Sequence, residues 1–137
     1  MSKTDLYSIK IITFKKLPNT KAWKLTSYLV RTEAKGICYT CGKSFPKNKL
    51  VSGHFIDKWG HAATYFDLDN LRAQCFSCNR MKHGNLGIYA LKLQKEIGDI
   101  RLKKLQKKSS KSKVWTKKEL DEITLEREKM IKKLSTD

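Results

Sequence analysis

The sequence predicts an α+β chain: a small zinc-stapled core of short strands and helices, with further helices flanking it. Three observations carry this. Four cysteines stand in two C-x-x-C pairs, Cys38-Tyr39-Thr40-Cys41 and Cys75-Phe76-Ser77-Cys78. Short apolar stretches of strand character are interleaved with longer stretches of helical period, as in mixed folds. The 137 residues suffice for one modest domain plus arms, a size at which a metal makes up for a small core.

The elements come in order along the chain. Residues 6–14 alternate weakly, with Tyr7, Ile9 and Ile11 on one side and Ser8, Lys10 and Ile12 on the other, which predicts a short strand. Pro18-Asn19 breaks the chain. Residues 21–34 read as a helix with Trp23, Tyr28 and Leu29 as core contacts, ended by Gly36. Leu50-Val51 and Phe55-Ile56 predict a hairpin, and Lys58-Trp59-Gly60-His61 a loop. A helix is expected to begin near Cys78 and to break or re-cap around Gly84. A longer one runs from about Leu86 to Lys108, because Tyr89, Leu93, Ile97, Ile100 and Leu105 recur as a buried stripe would. Gly98 marks a place for a kink.

Residues 103–118 are lysine-rich, contain no acid and include Ser109-Ser110-Lys111-Ser112-Lys113, the composition of a solvated linker. Thr116 and Glu119 have capping-box spacing, so a last helix starts there. Along it Leu120, Ile123, Met130 and Leu134 sit near a/d spacing, interrupted by Arg127. That stripe serves either packing on its own domain or a homodimer. The expected organisation is an N-terminal strand and helix packing on the core (1–36), the zinc-stapled core with its following helix (37–108), and a basic linker with the C-terminal helix (109–137).

The formal net charge is +17, from 30 basic and 13 acidic residues. A polyanionic partner relieves the self-repulsion of such a chain, and nucleic acid is the default. No apolar run approaches the roughly 20 residues that span a bilayer, and no sustained apolar helix face suits a membrane surface. The N-terminal Met1-Ser2-Lys3-Thr4-Asp5 lacks a signal-peptide layout. A cytoplasmic location is expected, where paired cysteines bind metal more often than they form disulfides.

Two C-x-x-C pairs separated by residues 42–74 match a tetrahedral zinc site, each pair folding as a knuckle that presents two thiolates. With Cys38, Cys41, Cys75 and Cys78 all as ligands, the zinc has no open position, so its role is structural. The candidate reaction centre lies between and just after the knuckles. His54 follows Gly53 at a predicted strand end, and its ordinary pKa suits a general base. Asn79 and His83 are four apart, one face of a helix. A carboxamide oxygen and an imidazole suit Mg²⁺ or Mn²⁺, which stabilises charge developing on a phosphodiester. Asn70 could hold the hairpin or orient the imidazole. His61 and Asp57 are spare candidates. The order of cysteine pair, histidine, asparagine, cysteine pair and asparagine is that of an HNH-type nuclease.

From about Trp23 to Leu105 the chain resembles the phage NinG (Rap) recombination proteins. The matching segments are Cys38-Tyr-Thr-Cys41, Ser52-Gly53-His54-Phe55, Asp69-Asn70-Leu71-Arg72-Ala73-Gln74-Cys75, Cys78-Asn79 and Gly84-Asn85-Leu86-Gly87-Ile88-Tyr89. The resemblance implies a zinc-stapled ββα-metal fold, the His-Me finger, and cleavage of branched recombination intermediates such as four-way (Holliday) junctions. The more distant recombination endonuclease VII is similar in placing a metal-binding asparagine directly after its second C-x-x-C pair, which maps onto Asn79; its general base maps onto His54. HNH nucleases usually carry an acid or histidine just before that base, where this chain has Gly53. The ion then needs another ligand, such as His83, Asp57 or His61.

The expected function is a metal-dependent, structure-selective endonuclease on branched DNA in phage recombination, in the host cytoplasm. The alternatives are a sequence-preferring HNH nicking or restriction-type nuclease and a non-catalytic zinc-containing DNA-binding accessory protein. The basic 103–118 arm could clamp duplex arms or be merely solvated. Trp59 could stack at an opened junction or be buried.

Overall fold

The computed structural model describes residues 3–136. They form two units, one taking in residues 3–29 and 113–136, the other Val30–Ser112. No helix among the described residues is long and apolar enough to cross a membrane.

The first unit joins the two ends of the chain. Helix α1 (Lys3–Ile9) precedes a two-residue strand β1 (Ile11–Ile12). The strand expected over 6–14 is therefore confined to its second half. Two-residue alternation across so short a stretch does not outweigh tertiary contact: the Tyr7 hydroxyl donates to the Asp121 carboxylate at 2.5 Å, which favours the helix. Strand β4 (Trp115–Thr116) pairs antiparallel with β1, Ile11 opposite Thr116 and Ile12 opposite Trp115.

Helix α2 (Lys21–Glu33) is capped by Thr20, whose hydroxyl accepts from the Trp23 amide at 3.2 Å. Leu29 is buried, but Tyr28, expected in the core, is exposed. Helix α4 (Lys117–Thr136) starts at the predicted capping box. The Glu119 amide donates to the Thr116 hydroxyl at 3.2 Å, and the Thr116 amide to the Glu119 carboxylate at 3.0 Å. Leu17, Ala22, Leu29 and Leu120 form the apolar interior of this unit. Arg127, which interrupts the apolar stripe, is also buried and donates through Nε to the Thr26 hydroxyl at 3.1 Å. Part of the stripe thus lies inside the chain's own fold.

The second unit carries the chemistry. After α2 the chain turns through Lys35 and Gly36, both at positive φ, into the first cysteine knuckle. Strands β2 (Leu50–His54) and β3 (Leu71–Cys75) pair antiparallel, from Leu50 opposite Cys75 to His54 opposite Leu71. The expected hairpin with Phe55-Ile56 as its second strand does not form. Those residues enter a loop whose base is closed where the Phe55 amide donates to the Asn70 carbonyl at 2.9 Å. After β3 a single π turn, Ser77–Met81, carries the second knuckle.

Helix α3 (Leu86–Ser109) buries Tyr89, Leu93, Ile97 and Leu105, with Tyr39, Phe55, Ile56 and Leu102 packed against them. Gly98 leaves helical geometry at φ 81°, ψ 166°, and the break shifts the phase of the turns after it. Ile100, expected on the stripe, is consequently 75% exposed, and Leu102 turns inward instead. The lysine-rich 103–118 segment is mostly ordered, as the end of α3, β4 and the start of α4; only 110–114 is irregular.

Candidate functional site

The sulfurs of Cys38, Cys41, Cys75 and Cys78 all lie within 4.8 Å of one another, close enough to hold one metal ion such as zinc. Local backbone geometry brings them there. The Gly42 amide returns to the Cys38 carbonyl at 2.9 Å, and the Cys38 amide donates to the Lys43 carbonyl at 3.0 Å, which curls the first knuckle. In the second, the Cys78 amide approaches the Cys75 sulfur at 3.5 Å, and the Asn85 amide group the Cys78 sulfur at 3.7 Å. Such outer contacts orient thiolate ligands.

The thiols differ in acidity. Burial pushes Cys38 up, but backbone hydrogen bonds from Cys41 and Cys75 and the Thr40 hydroxyl outweigh it and bring the thiol down to about 6. Burial raises Cys41, and raises Cys75 to about 11. A cation among them is what would ionise the whole set, and four sulfurs of this kind fit zinc.

His54 closes β2. Its Nε2 lies 3.0 Å from the Tyr65 carbonyl oxygen, and the two rings sit tilted at 5.1 Å. A carbonyl only accepts, so Nε2 carries the proton and Nδ1 the lone pair. Burial holds the imidazole pKa down at about 4; the Tyr65 carbonyl and Asp57 pull it up and Lys58 pushes it down, without reversing the result. The ring is therefore neutral at neutral pH, and a weaker base than the ordinary imidazole expected from the sequence.

An imidazole NMR titration should give a midpoint near 4, against about 6.5 for an unperturbed histidine. Because the folded pKa is the lower one, the unfolded chain binds the extra proton first. The stabilising contribution of His54 is complete above about pH 6.5 and is lost as pH falls from there towards 4. A midpoint near 6.5 would contradict this burial.

Asn70 is fully buried, and its carboxamide ties the loop together. Nδ2 donates to the Ile56 carbonyl at 3.0 Å and the Thr64 carbonyl at 3.2 Å, and Oδ1 accepts from the Ile56 amide at 2.7 Å. It acts on His54 through the loop, since Thr64 adjoins the Tyr65 whose carbonyl holds the imidazole. Asn79 sits on the π turn, and its Nδ2 lies 3.4 Å from Gln74 Oε1. A Cβ placed on Gly53 would stand 3.1 Å from that same Nδ2. The Asn79 amide thus lies over the residue next to His54.

Asn79 and His83 do not share a helix face. The π turn ends at Met81, and His83 has φ 50° and is exposed. The tight turn through Gly84, whose amide donates to the Cys78 and Asn79 carbonyls, displaces the regular helix assumed for that pair. Of the spare candidates, His61 Nδ1 lies 3.1 Å from the Ser109 carbonyl, and the exposed Asp57 accepts from the Trp59 amide at 3.1 Å. Trp59 itself is 64% exposed.

Sequence reasoning gave no role to Tyr65 or Gln74 and read Tyr89 only as part of an apolar stripe, yet all three build this region. The Tyr65 carbonyl fixes His54. The buried Tyr89 hydroxyl donates to the Gly53 carbonyl at 2.7 Å. Gln74, also buried, donates through Nε2 to the Thr40 hydroxyl at 3.0 Å and the Gly84 carbonyl at 2.8 Å. A glycine within a strand was the available signal, since it marks a close approach by another group.

A family model described as Bacteriophage Lambda NinG protein matches residues 12–137. No curated protein matches the chain, and no solved structure does.

Proposed function

The chain belongs to the bacteriophage lambda NinG family, and on that premise we propose that it is a metal-dependent, structure-selective DNA endonuclease acting on branched recombination intermediates in the host cytoplasm. The observation that carries the reading is His54: a neutral imidazole with its proton committed to the Tyr65 carbonyl, on a strand paired with β3, which ends at Cys75 and leads to Asn79. In this reading β2, β3 and the π turn into α3 correspond to the ββα-metal core of HNH nucleases.

His54 Nδ1 takes a proton from water, whose oxygen attacks the phosphorus while the bond to the leaving sugar oxygen breaks. Asn79 would hold Mg²⁺ or Mn²⁺ through its carboxamide oxygen, a hard donor that suits these ions. The ion, when bound, stabilises negative charge on the phosphate and leaving oxygen. Asn70 and the Tyr65 carbonyl keep the imidazole in place. The four cysteines hold zinc, which takes no part in the reaction. His83, exposed on the turn that follows Asn79, is the candidate for a further ligand.

The net charge of +17 supplies phosphate contacts that carry affinity rather than sequence information, which favours recognition of DNA shape. In this reading the exposed Trp59, on the loop after His54, stacks at an opened junction centre. A dimer through α4 would use the face that carries the exposed Leu125, because Leu120 and Arg127 turn inward on the opposite side.

Cleavage of a labelled four-way junction and of linear duplex of the same sequence, in Mg²⁺ and in Mn²⁺, tests the substrate. The junction should be cut at least about tenfold faster, a difference of about 1.4 kcal/mol in barrier. Equal rates with a fixed cleavage sequence would make the protein a sequence-preferring nuclease. Binding without cleavage would make it an accessory protein.

A further inference from the structure

We infer that Gln74 is a positioning residue that links the first cysteine knuckle to Asn79 and fixes which atom Asn79 offers to a divalent ion. The inference rests on the nuclease reading and extends it to a residue outside the predicted site.

Hydrogen-bond logic determines the orientation. Gln74 is fully buried. One of its neighbours, the Gly84 carbonyl at 2.8 Å, can only accept, so the Gln74 atom facing it must be Nε2. The second Nε2 hydrogen goes to the Thr40 hydroxyl at 3.0 Å. Thr40 lies between Cys38 and Cys41, and its hydroxyl is 3.6 Å from the Cys38 sulfur. Both donors are then used, and Oε1 has to face Asn79. Only an amide nitrogen answers it, and Asn79 Nδ2 lies 3.4 Å away. Asn79 Oδ1, the atom able to ligate a cation, is thereby turned away from Gln74 and held there.

Gly53 is what makes room. A Cβ at that position would stand 2.0 Å from Gln74 Oε1 and 2.8 Å from its Cδ. The carboxamide therefore fills the space that any larger residue before His54 would enter. The acid that HNH nucleases usually carry there is replaced by a buried amide reaching in from β3, which orients the remaining ligand.

The test uses the full-length, zinc-loaded protein with Mn²⁺ as the probe. Two readouts are taken: paramagnetic broadening of the Asn79 side-chain amide signals, and the Mn²⁺ concentration that half-saturates junction cleavage. Gln74→Met keeps the length and removes every hydrogen bond. Outer contacts of this kind are worth about 10–100-fold in metal affinity, so both half-saturation values should rise at least about tenfold, with zinc content unchanged and the rate at saturating Mn²⁺ largely recovered. Thr40→Val should shift both values in the same direction, and Thr40→Ser should restore them. This pair decides the matter if Gln74→Met does not fold.

Wild-type Mn²⁺ dependence in Gln74→Met, or in Thr40→Val where Gln74→Met is unfolded, would overturn the role of Gln74 while leaving the nuclease reading standing. Wild-type protein that neither broadens at Asn79 nor cleaves would overturn both.

Discussion

Removing the metal, or replacing Cys75 and Cys78 by serine, is expected to unfold residues 30–112. Apparent binding energies for structural zinc are about 10–16 kcal/mol at neutral pH, as large as the whole stability of a typical domain, about 5–15 kcal/mol. The knuckles lock both ends of the hairpin's chemistry. The first holds Thr40 against Gln74, and the second begins where β3 ends. Without the ion, burial leaves Cys41 and Cys75 protonated, and only the backbone turns and hydrogen bonds such as that from Gln74 to Thr40 are left to hold the knuckles in place. Metal analysis should find one zinc per chain. Chelation should collapse the dispersion of the amide NMR spectrum of this unit. A zinc-free chain with full dispersion would show that the cysteines are ordinary buried thiols.

The second large effect is expected at Asn70. Asn70→Ala removes three hydrogen bonds at a fully buried site, strands the Ile56 amide and carbonyl, and leaves the Thr64 carbonyl only the Asp67 amide at 3.3 Å. Leaving a buried polar group unpaired costs about 1–3 kcal/mol. With partial relaxation the sum comes to about 3–5 kcal/mol, measured by urea unfolding. Asn70→Asp should cost at least as much, because a carboxylate would face two carbonyl oxygens that need donors. Amide exchange at Ile56 should accelerate in both variants, since the loop that carries the Tyr65 carbonyl loses its tie. A loss below about 1 kcal/mol would mean that the loop is held by other contacts.

The range of each interaction decided whether the sequence revealed it. The cysteine site was legible because C-x-x-C spacing fixes each knuckle locally. The capping box of Thr116 and Glu119 was legible for the same reason, as was the helix through Tyr89, Leu93 and Ile97. The partner of β2 was not. It lies beyond a loop closed by Asn70, whose three hydrogen bonds are invisible to any local pattern, and the nearer Phe55-Ile56 offered a shorter but mistaken pairing. Ile100 was misplaced because a stripe read at constant period assumes a continuous helix, and Gly98 interrupts it. The shared helix face assumed for Asn79 and His83 was misread in the same way, on a turn that is not a regular helix. Gln74 was hidden because its role depends on Thr40, Gly84 and Asn79 together, residues that only the fold assembles.

The measurement that bears most directly on the nuclease reading compares wild type with His54→Ala on a labelled four-way junction in Mn²⁺, both zinc-loaded and shown to bind the junction equally. General-base catalysis contributes typically about 10²–10⁴-fold. The expected result is cleavage by wild type and a loss of at least about 10²-fold in the variant, with zinc content and junction affinity unchanged. Equal cleavage by the two proteins would contradict the assignment of His54 as the base, and with it the central claim that this half-buried, neutral imidazole is the reaction centre.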